Sequence, residues 1–205
     1  TIDKYKKMNY NIYSLILGSG IDSRDIKKKN DIEKKKLLLQ SVKANKFLGV
    51  KEIYFENLKD NNFDSYSLLH IIKIIERYIN KIKPIIIFTH NNCDLNIDHR
   101  ITFQSTLTAC RPQRNSSVKK LYSFEVPSST EWAFSKITRN FQPNFFVNIE
   151  KSIKNKIKSL KFYKSEMRKF PHPRSLKNVE NISLIRGSSV GLKNAEAFEC
   201  IFDIS

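Results

Sequence analysis

Residues 89–100 read THNNCDLNIDHR, so His90, Asp94, Asp98 and His99 follow directly on the apolar run Pro84-Ile85-Ile86-Ile87-Phe88. A neutral imidazole ligates zinc, and a neighbouring carboxylate can orient ligands or handle protons. The adjacent Asp98-His99 pair, placed where a strand gives way to a helix, therefore suits metal chemistry. A plainer role stays open for Asp98, because short acidic side chains also cap the free amides at a helix start. Arg24 in GSGIDSR and Asp60 in NLKDNNFD are the other polar groups that follow strand-like segments.

Bringing such groups together requires a scaffold, and the chain spells one out. Residues 9–17 read as a strand broken by Gly18-Ser19-Gly20. A helix is predicted over 31–48, with Leu37, Leu38, Ser41, Val42, Asn45 and Leu48 on one side and Gly49 as its stop. A short strand at 52–55, a turn-rich loop at 58–64 and a helix over 65–82 follow. PIIIFT, at 84–89, is apolar throughout, as in strands buried on both faces of a parallel sheet.

Alternating strands and helices with short links are the βαβ signature, which predicts an α/β fold: a Rossmann-like three-layer arrangement with a mostly parallel sheet flanked by helices. Ligands in such sheets sit beyond the carboxyl ends of the strands, where the three polar loops fall. The second half is less regular. Helices are predicted over 99–111, 149–167 and 176–185, and strands over 118–126, 144–147 and 197–202.

The 205 residues fit one domain, and 40% hydrophobic with 11% aromatic residues can fill a core. Three scattered cysteines, Cys93, Cys110 and Cys200, give neither a disulfide framework nor a zinc knuckle and point to a reducing compartment, the cytosol. Cys110 and Cys200 lie in apolar patterns and read as small core residues. The net charge of +17 invites a polyanion, yet the lysines are spread out and no nucleic-acid motif accompanies them. No nucleic-acid partner is expected. No apolar stretch approaches the roughly 18 residues of a membrane span, so no stable membrane insertion is expected either. A serine-hydrolase elbow and a Walker A loop are both missing.

FTHNNCDLNIDHR resembles the second signature of the PIG-L/LmbE-like zinc-dependent N-acetylglucosaminyl deacetylases, in which a buried strand ends in T-H and D-x-x-x-D-H-R follows. LILGSGIDSR, IYFENLKDNNFD, PHPRS (171–175), RGSSVG (186–191) and AEAF (195–198) resemble further segments of that family in the same order. SFEVPSSTEW, at 123–132, resembles a branch tied to bacterial surface-sugar modification. The resemblance implies a zinc cofactor, with His99 as a ligand, Asp98 in the polar relay beside the metal, and Asn96 near the oxyanion. Arg24 and Asp60 would hold sugar hydroxyls or an attached phosphate, and His172 and Arg174 would stand near the mouth of the site. Arg24 as a surface ion-pair partner, Asp60 as a turn former and His172 as a stiffened loop residue are the competing roles.

The implied reaction is removal of an N-acetyl group from an amino sugar or its conjugate, and the implied partner is that substrate. A homo-oligomer is compatible with this reading. Two departures qualify the resemblance. Many members read His-Pro-Asp-His where this chain has Asn96-Ile97-Asp98-His99, and asparagine can donate to an oxyanion but cannot shuttle a proton. Members also begin with a strand and an Ala-His-Pro-Asp-Asp motif supplying two zinc ligands and the base, and nothing in residues 1–30 matches it. The expectation is a single deacetylase domain over 1–205, incomplete at its start and inactive as it stands. Assembling a site from His90, Asp94 and His99 would suit zinc by residue type, but the family pattern gives His90 and Asp94 no such role. The alternative function is a non-catalytic domain binding a sugar or nucleotide-sugar.

Overall fold

Six α-helices, six strands and two short 3-10 helices, Phe63–Ser65 and Glu131–Ala133, account for the regular structure among the residues the computed structural model describes, 1–18, 30–134 and 140–204. They fall into two compact units, one of Thr1–Asn61 with Phe146–Glu196, the other of Asn62–Phe145 with Ala197–Ser205.

The first unit opens with α1 (Ile2–Lys7), β1 (Tyr13–Gly18), α2 (Asn30–Leu48) and β2 (Glu52–Leu58). β1 and β2 pair in parallel, from Tyr13↔Glu52 to Gly18↔Leu58, with the helix as the crossover that a parallel pair demands. Gly49 ends α2 at φ +83°, a left-handed backbone that any side chain would strain, and a Cβ there would meet Lys6 Cγ at 2.7 Å. Asn45 on α2 accepts a 2.7 Å hydrogen bond from Ser14 Oγ, fastening the helix to β1.

The helix predicted over 149–167 is shorter, α5 (Ile153–Leu160). Tertiary ties take over beyond it: Phe162 packs against Phe47 at 5.8 Å, and Ser165 Oγ donates to Gln40 Oε1 at 3.2 Å. α6 (Leu176–Ser188) starts at Ser175, whose hydroxyl accepts from Asn178 N.

The second unit contains α3 (Leu68–Ile82), β3 (Ile86–Thr89), α4 (Ile97–Ala109) and β4 (Lys120–Phe124). α3 is capped by Ser67, buries Ile71, Ile72, Ile74 and Ile75, and closes on Lys83 at φ 51°. The remaining strands, β5 (Phe145–Asn148) and β6 (Ala195–Asp203), complete a four-stranded sheet ordered β3-β4-β6-β5. β3 and β4 are parallel and β4 and β6 antiparallel. Cys110, Val118 and Leu121 form a core here, with Ile79, Ile87, Ile201 and Phe202 packed on it.

One expectation about β3 is corrected. Its apolar run suggests burial on both faces, but β3 is an edge strand of its sheet: Ile85 is 60% exposed and Ile86 to Phe88 are half-buried. Full burial of a parallel strand needs neighbours on both sides, and among the described residues β3 pairs with β4 alone. The register still fixes what matters for function. Thr89 lies opposite Ser123, so His90 and Phe124 emerge side by side at the carboxyl edge.

Candidate active site

At that edge the chain turns from β3 into α4 through a loop that satisfies its own polar groups. Asn91, 1% exposed, donates through Nδ2 to Ser123 Oγ (2.7 Å) and Glu199 Oε2 (2.9 Å) and accepts from Cys93 N (2.7 Å). Arg100 reaches back from the first turn of α4 to donate to the carbonyls of Asp94 and Leu95, both at 2.7 Å. The N-cap of α4 is Asn96, whose Oδ1 accepts from Asp98 N at 2.8 Å. Asp98 is buried, and its Oδ1 accepts from Phe63 N at 2.9 Å, which holds the segment after Asn62 against the start of α4.

His99 then projects beside Asp94. Its Nδ1 lies 3.1 Å from Asp94 Oδ2, an ion-pair separation with the nitrogen turned off the line of a straight hydrogen bond. The Asp94 side chain is fully buried. Its Oδ1 accepts from Ser129 Oγ and from Asn96 N, and Thr130 Oγ1 donates to Oδ2 at 3.1 Å. Burial alone would raise this carboxyl; His99, Ser129 and the Asn96 amide outweigh it and hold the group below the ordinary carboxylate value. Asp94 is therefore an anion held by donors on several sides.

The imidazoles of His90 and His99 stack at 4.2 Å with 25° between their planes, and Phe124 packs on His90 at 5.0 Å. Loss of hydration, with the neighbouring His99 as a lesser cause and Asp94 opposing, pushes His90 down to about 3. His90 is accordingly a neutral ring lying against His99.

The loop supplying Ser129 and Thr130 is stiff for local reasons. Glu131 accepts from Ser128 N and Ser129 N, and Val126 N donates to Thr130 Oγ1 at 2.7 Å. Leu95 N also donates to Ser129 O at 3.2 Å, so the two loops are joined through backbone as well as side chains.

The structure thus brings Asn96, Asp98 and His99 together. Arg24 lies outside the described residues. Asp60, half-buried, sits in the turn after β2, beside Asn61 at φ 52°. His172 and Arg174 belong to the 168–175 loop. The Nδ1 of His172 accepts from Arg174 N at 3.1 Å, and Arg174 Nη1 donates to Glu166 Oε2 at 3.0 Å. Sequence reasoning gave no part to Ser129 or Thr130, and none to Asp94 or His90 beyond the imagined zinc set; the one signal was their place at the ends of β3 and β4.

A catalytic zinc needs three protein ligands and an open position. Among the described residues no group of three or more His, Cys, Asp or Glu side chains is arranged to hold a metal ion, so these residues do not fit a complete zinc centre.

The fold is mixed α/β, and its carboxylate-backed imidazole stands at the carboxyl edge of a parallel strand pair, where sheets of this kind hold their ligands. Residues 1–110, more than half of the chain, match the PIG-L family, described as GlcNAc-PI de-N-acetylase, and the chain belongs to that family. Solved structures share the fold. N,N'-diacetylchitobiose deacetylase from Pyrococcus horikoshii, complexed with its inhibitor, superposes with a TM-score of 0.77 at 17% identity, covering 98% of this chain and 76% of that one. The 4-carboxy-2-hydroxymuconate hydratase GalB from Pseudomonas putida gives 0.75 at 15%, covering 100% and 89%. The zinc-inhibited form of teicoplanin deacetylase gives 0.73 at 12%, covering 97% and 90%. Comparison with curated proteins finds no match.

Proposed function

We propose that the chain is the de-N-acetylase domain, over 1–205, of a cytoplasmic hydrolase acting on the linear amide of an N-acetylated amino sugar or its conjugate. The observation that carries this is the His99 imidazole, set against buried Asp94 at the carboxyl edge of β3 in a member of the PIG-L family. Two of the three neighbours named above are deacetylases, while GalB is a hydratase, so the fold by itself leaves the reaction open.

Amide hydrolysis needs an activated water, a donor for the developing oxyanion and a proton for the departing amine. In this reading His99 is the zinc ligand that the family pattern assigns, and zinc would supply a polarised carbonyl and a more acidic water. Because the described residues do not complete such a centre, the 205-residue chain is expected to be inactive by itself. Its own groups have narrower tasks. Asn96 Oδ1 is occupied by Asp98 N, which leaves the amide N–H groups of Asn96 to face an acyl oxygen. Asp98 holds Phe63 N and so keeps the start of α4 in register with its neighbouring loop. Arg24, Asp60, His172 and Arg174 are assigned to the sugar and whatever it carries.

The product of the complete gene should release primary amine from an N-acetyl amino sugar, and His99→Ala should lower that rate by roughly 100-fold or more. Amine release unaffected by His99→Ala refutes the assignment. A binding-only reading, in which a sugar or nucleotide-sugar is held without turnover, draws on the incomplete donor set. It is favoured if calorimetry detects sugar binding by the complete gene product and no amine is released.

A further inference from the structure

The deacetylase reading gives Asp94 no chemical task of its own, yet its buried carboxylate accepts three hydrogen bonds. It is 1% exposed, it accepts from Ser129 Oγ, Thr130 Oγ1 and Asn96 N, and its remaining neighbour is His99 Nδ1 at 3.1 Å. A buried carboxylate with this many donors cannot turn without stranding them, so its position is fixed by structure that lies elsewhere in the chain. Ser129 and Thr130 come from a loop 35 and 36 residues away, itself locked by Glu131 and by the Val126 N to Thr130 Oγ1 bond. One surface of His99 is fixed as well, by the ring of His90 stacked at 4.2 Å.

We propose that Asp94 is a positioning residue: clamped by Ser129 and Thr130, it holds the imidazole of His99 with Nδ1 inward as the protonated nitrogen and Nε2 as the nitrogen that meets the ligand. The SSTEW segment is then a brace for the site rather than a sugar contact. An imidazole has two tautomers, and the group beside one nitrogen decides which of them the other nitrogen offers. A carboxylate beside Nδ1 selects Nδ1–H and leaves the lone pair on Nε2, the form able to take a proton or bind a cation. Among the described residues Nε2 has no protein hydrogen-bond partner. This inference rests on His99 being the reacting imidazole of the deacetylase reading.

Two-bond proton–nitrogen spectra of the 205-residue chain separate the tautomers directly, and with four histidines in the sequence the signals can be assigned by substitution. Recorded at alkaline pH, His99 should be the Nδ1–H tautomer, and Asp94→Asn should convert most of it to Nε2–H. In the complete gene product the same substitution should lower kcat by roughly 10- to 100-fold with KM nearly unchanged. An Nε2–H tautomer in the native chain, or a ratio that ignores Asp94→Asn, overturns the proposal. Should Asp94→Asn fail to fold, the native spectrum still decides, and Thr130→Val, which deletes one clamping hydroxyl, should shift the ratio part of the way; no shift overturns the brace. If the tautomer follows Asp94 but no N-acetyl sugar is cleaved, the deacetylase reading fails and the positioning role stands. If an N-acetyl sugar is cleaved while the tautomer is indifferent to Asp94, the positioning role fails and the deacetylase reading stands.

Discussion

Cys110 lies fully buried beside Val118 and Leu121, and burial pushes its thiol up to about 12. A thiol so placed is almost wholly protonated near neutrality and has no path to a reagent, so it packs as a small apolar group. Native protein at pH 8 should leave Cys110 unmodified by an alkylating reagent while half-buried Cys93 reacts, with all three thiols titrating after denaturation; mass spectrometry of the peptides reads this out. Early modification of Cys110 would mean that the core around α4 and β4 opens readily. The same distinction between local and distant information governs which site residues the sequence discloses. Asp98 and His99 are legible because they are adjacent at a strand-to-helix junction. The role of Asp94 is not, since its partners Ser129 and Thr130 stand 35 and 36 positions on and reach it only after β3 and β4 have paired. Asn96 shows the complementary limit. Its type fits both an N-cap and an oxyanion donor, and the structure shows the cap formed by Oδ1, with Asp98 bonded to Phe63 N instead.

Elements whose pattern is local were legible with small errors at their ends. α2, β2 and α3 lie where hydrophobic spacing and the stops at Gly49 and Pro84 put them. Errors arose where distant groups intervene, as in the truncation of α5 by the Phe162 and Ser165 contacts, or where sheet order decides burial, as at β3. Gly187, in the RGSSVG segment, shows how a motif can be structural. It lies in the last turn of α6, and a Cβ added there would stand 2.6 Å from Leu192 O and 2.9 Å from Asn194 N. Both are backbone atoms of the segment leading into β6, which cannot move aside as the end of a side chain can. Gly187→Ala should therefore destabilise the protein by about 1–3 kcal/mol, even though alanine favours a helix over glycine by up to ~1 kcal/mol. Urea unfolding of the two proteins measures the difference. A more stable variant would show that helix propensity outweighs the close approach and that the chain after α6 yields.

At the scale of the whole molecule the +17 charge is the property that most directly predicts an interaction unrelated to the deacetylase reading. No described helix is long and apolar enough to cross a membrane, so the cations do not flank a spanning helix among these residues. What remains is attraction to polyanions, which any protein with this charge exhibits through release of condensed counterions. Lysines occur throughout the sequence and outside any recognised groove-reading motif, so the attraction is expected to be diffuse and indifferent to base sequence. The chain should bind a heparin column and short DNA duplexes at low salt. If about six phosphates are neutralised, affinity should fall by roughly 1000-fold between about 50 and 200 mM salt. Duplexes of unrelated sequence should bind within a few-fold of one another, and His99→Ala should leave the salt profile nearly unchanged, because the lysines that drive the attraction are spread over the whole sequence. Strong preference for one duplex that survives at the higher salt would require directed base contacts, and the deacetylase reading would then have to give way to a nucleic-acid one.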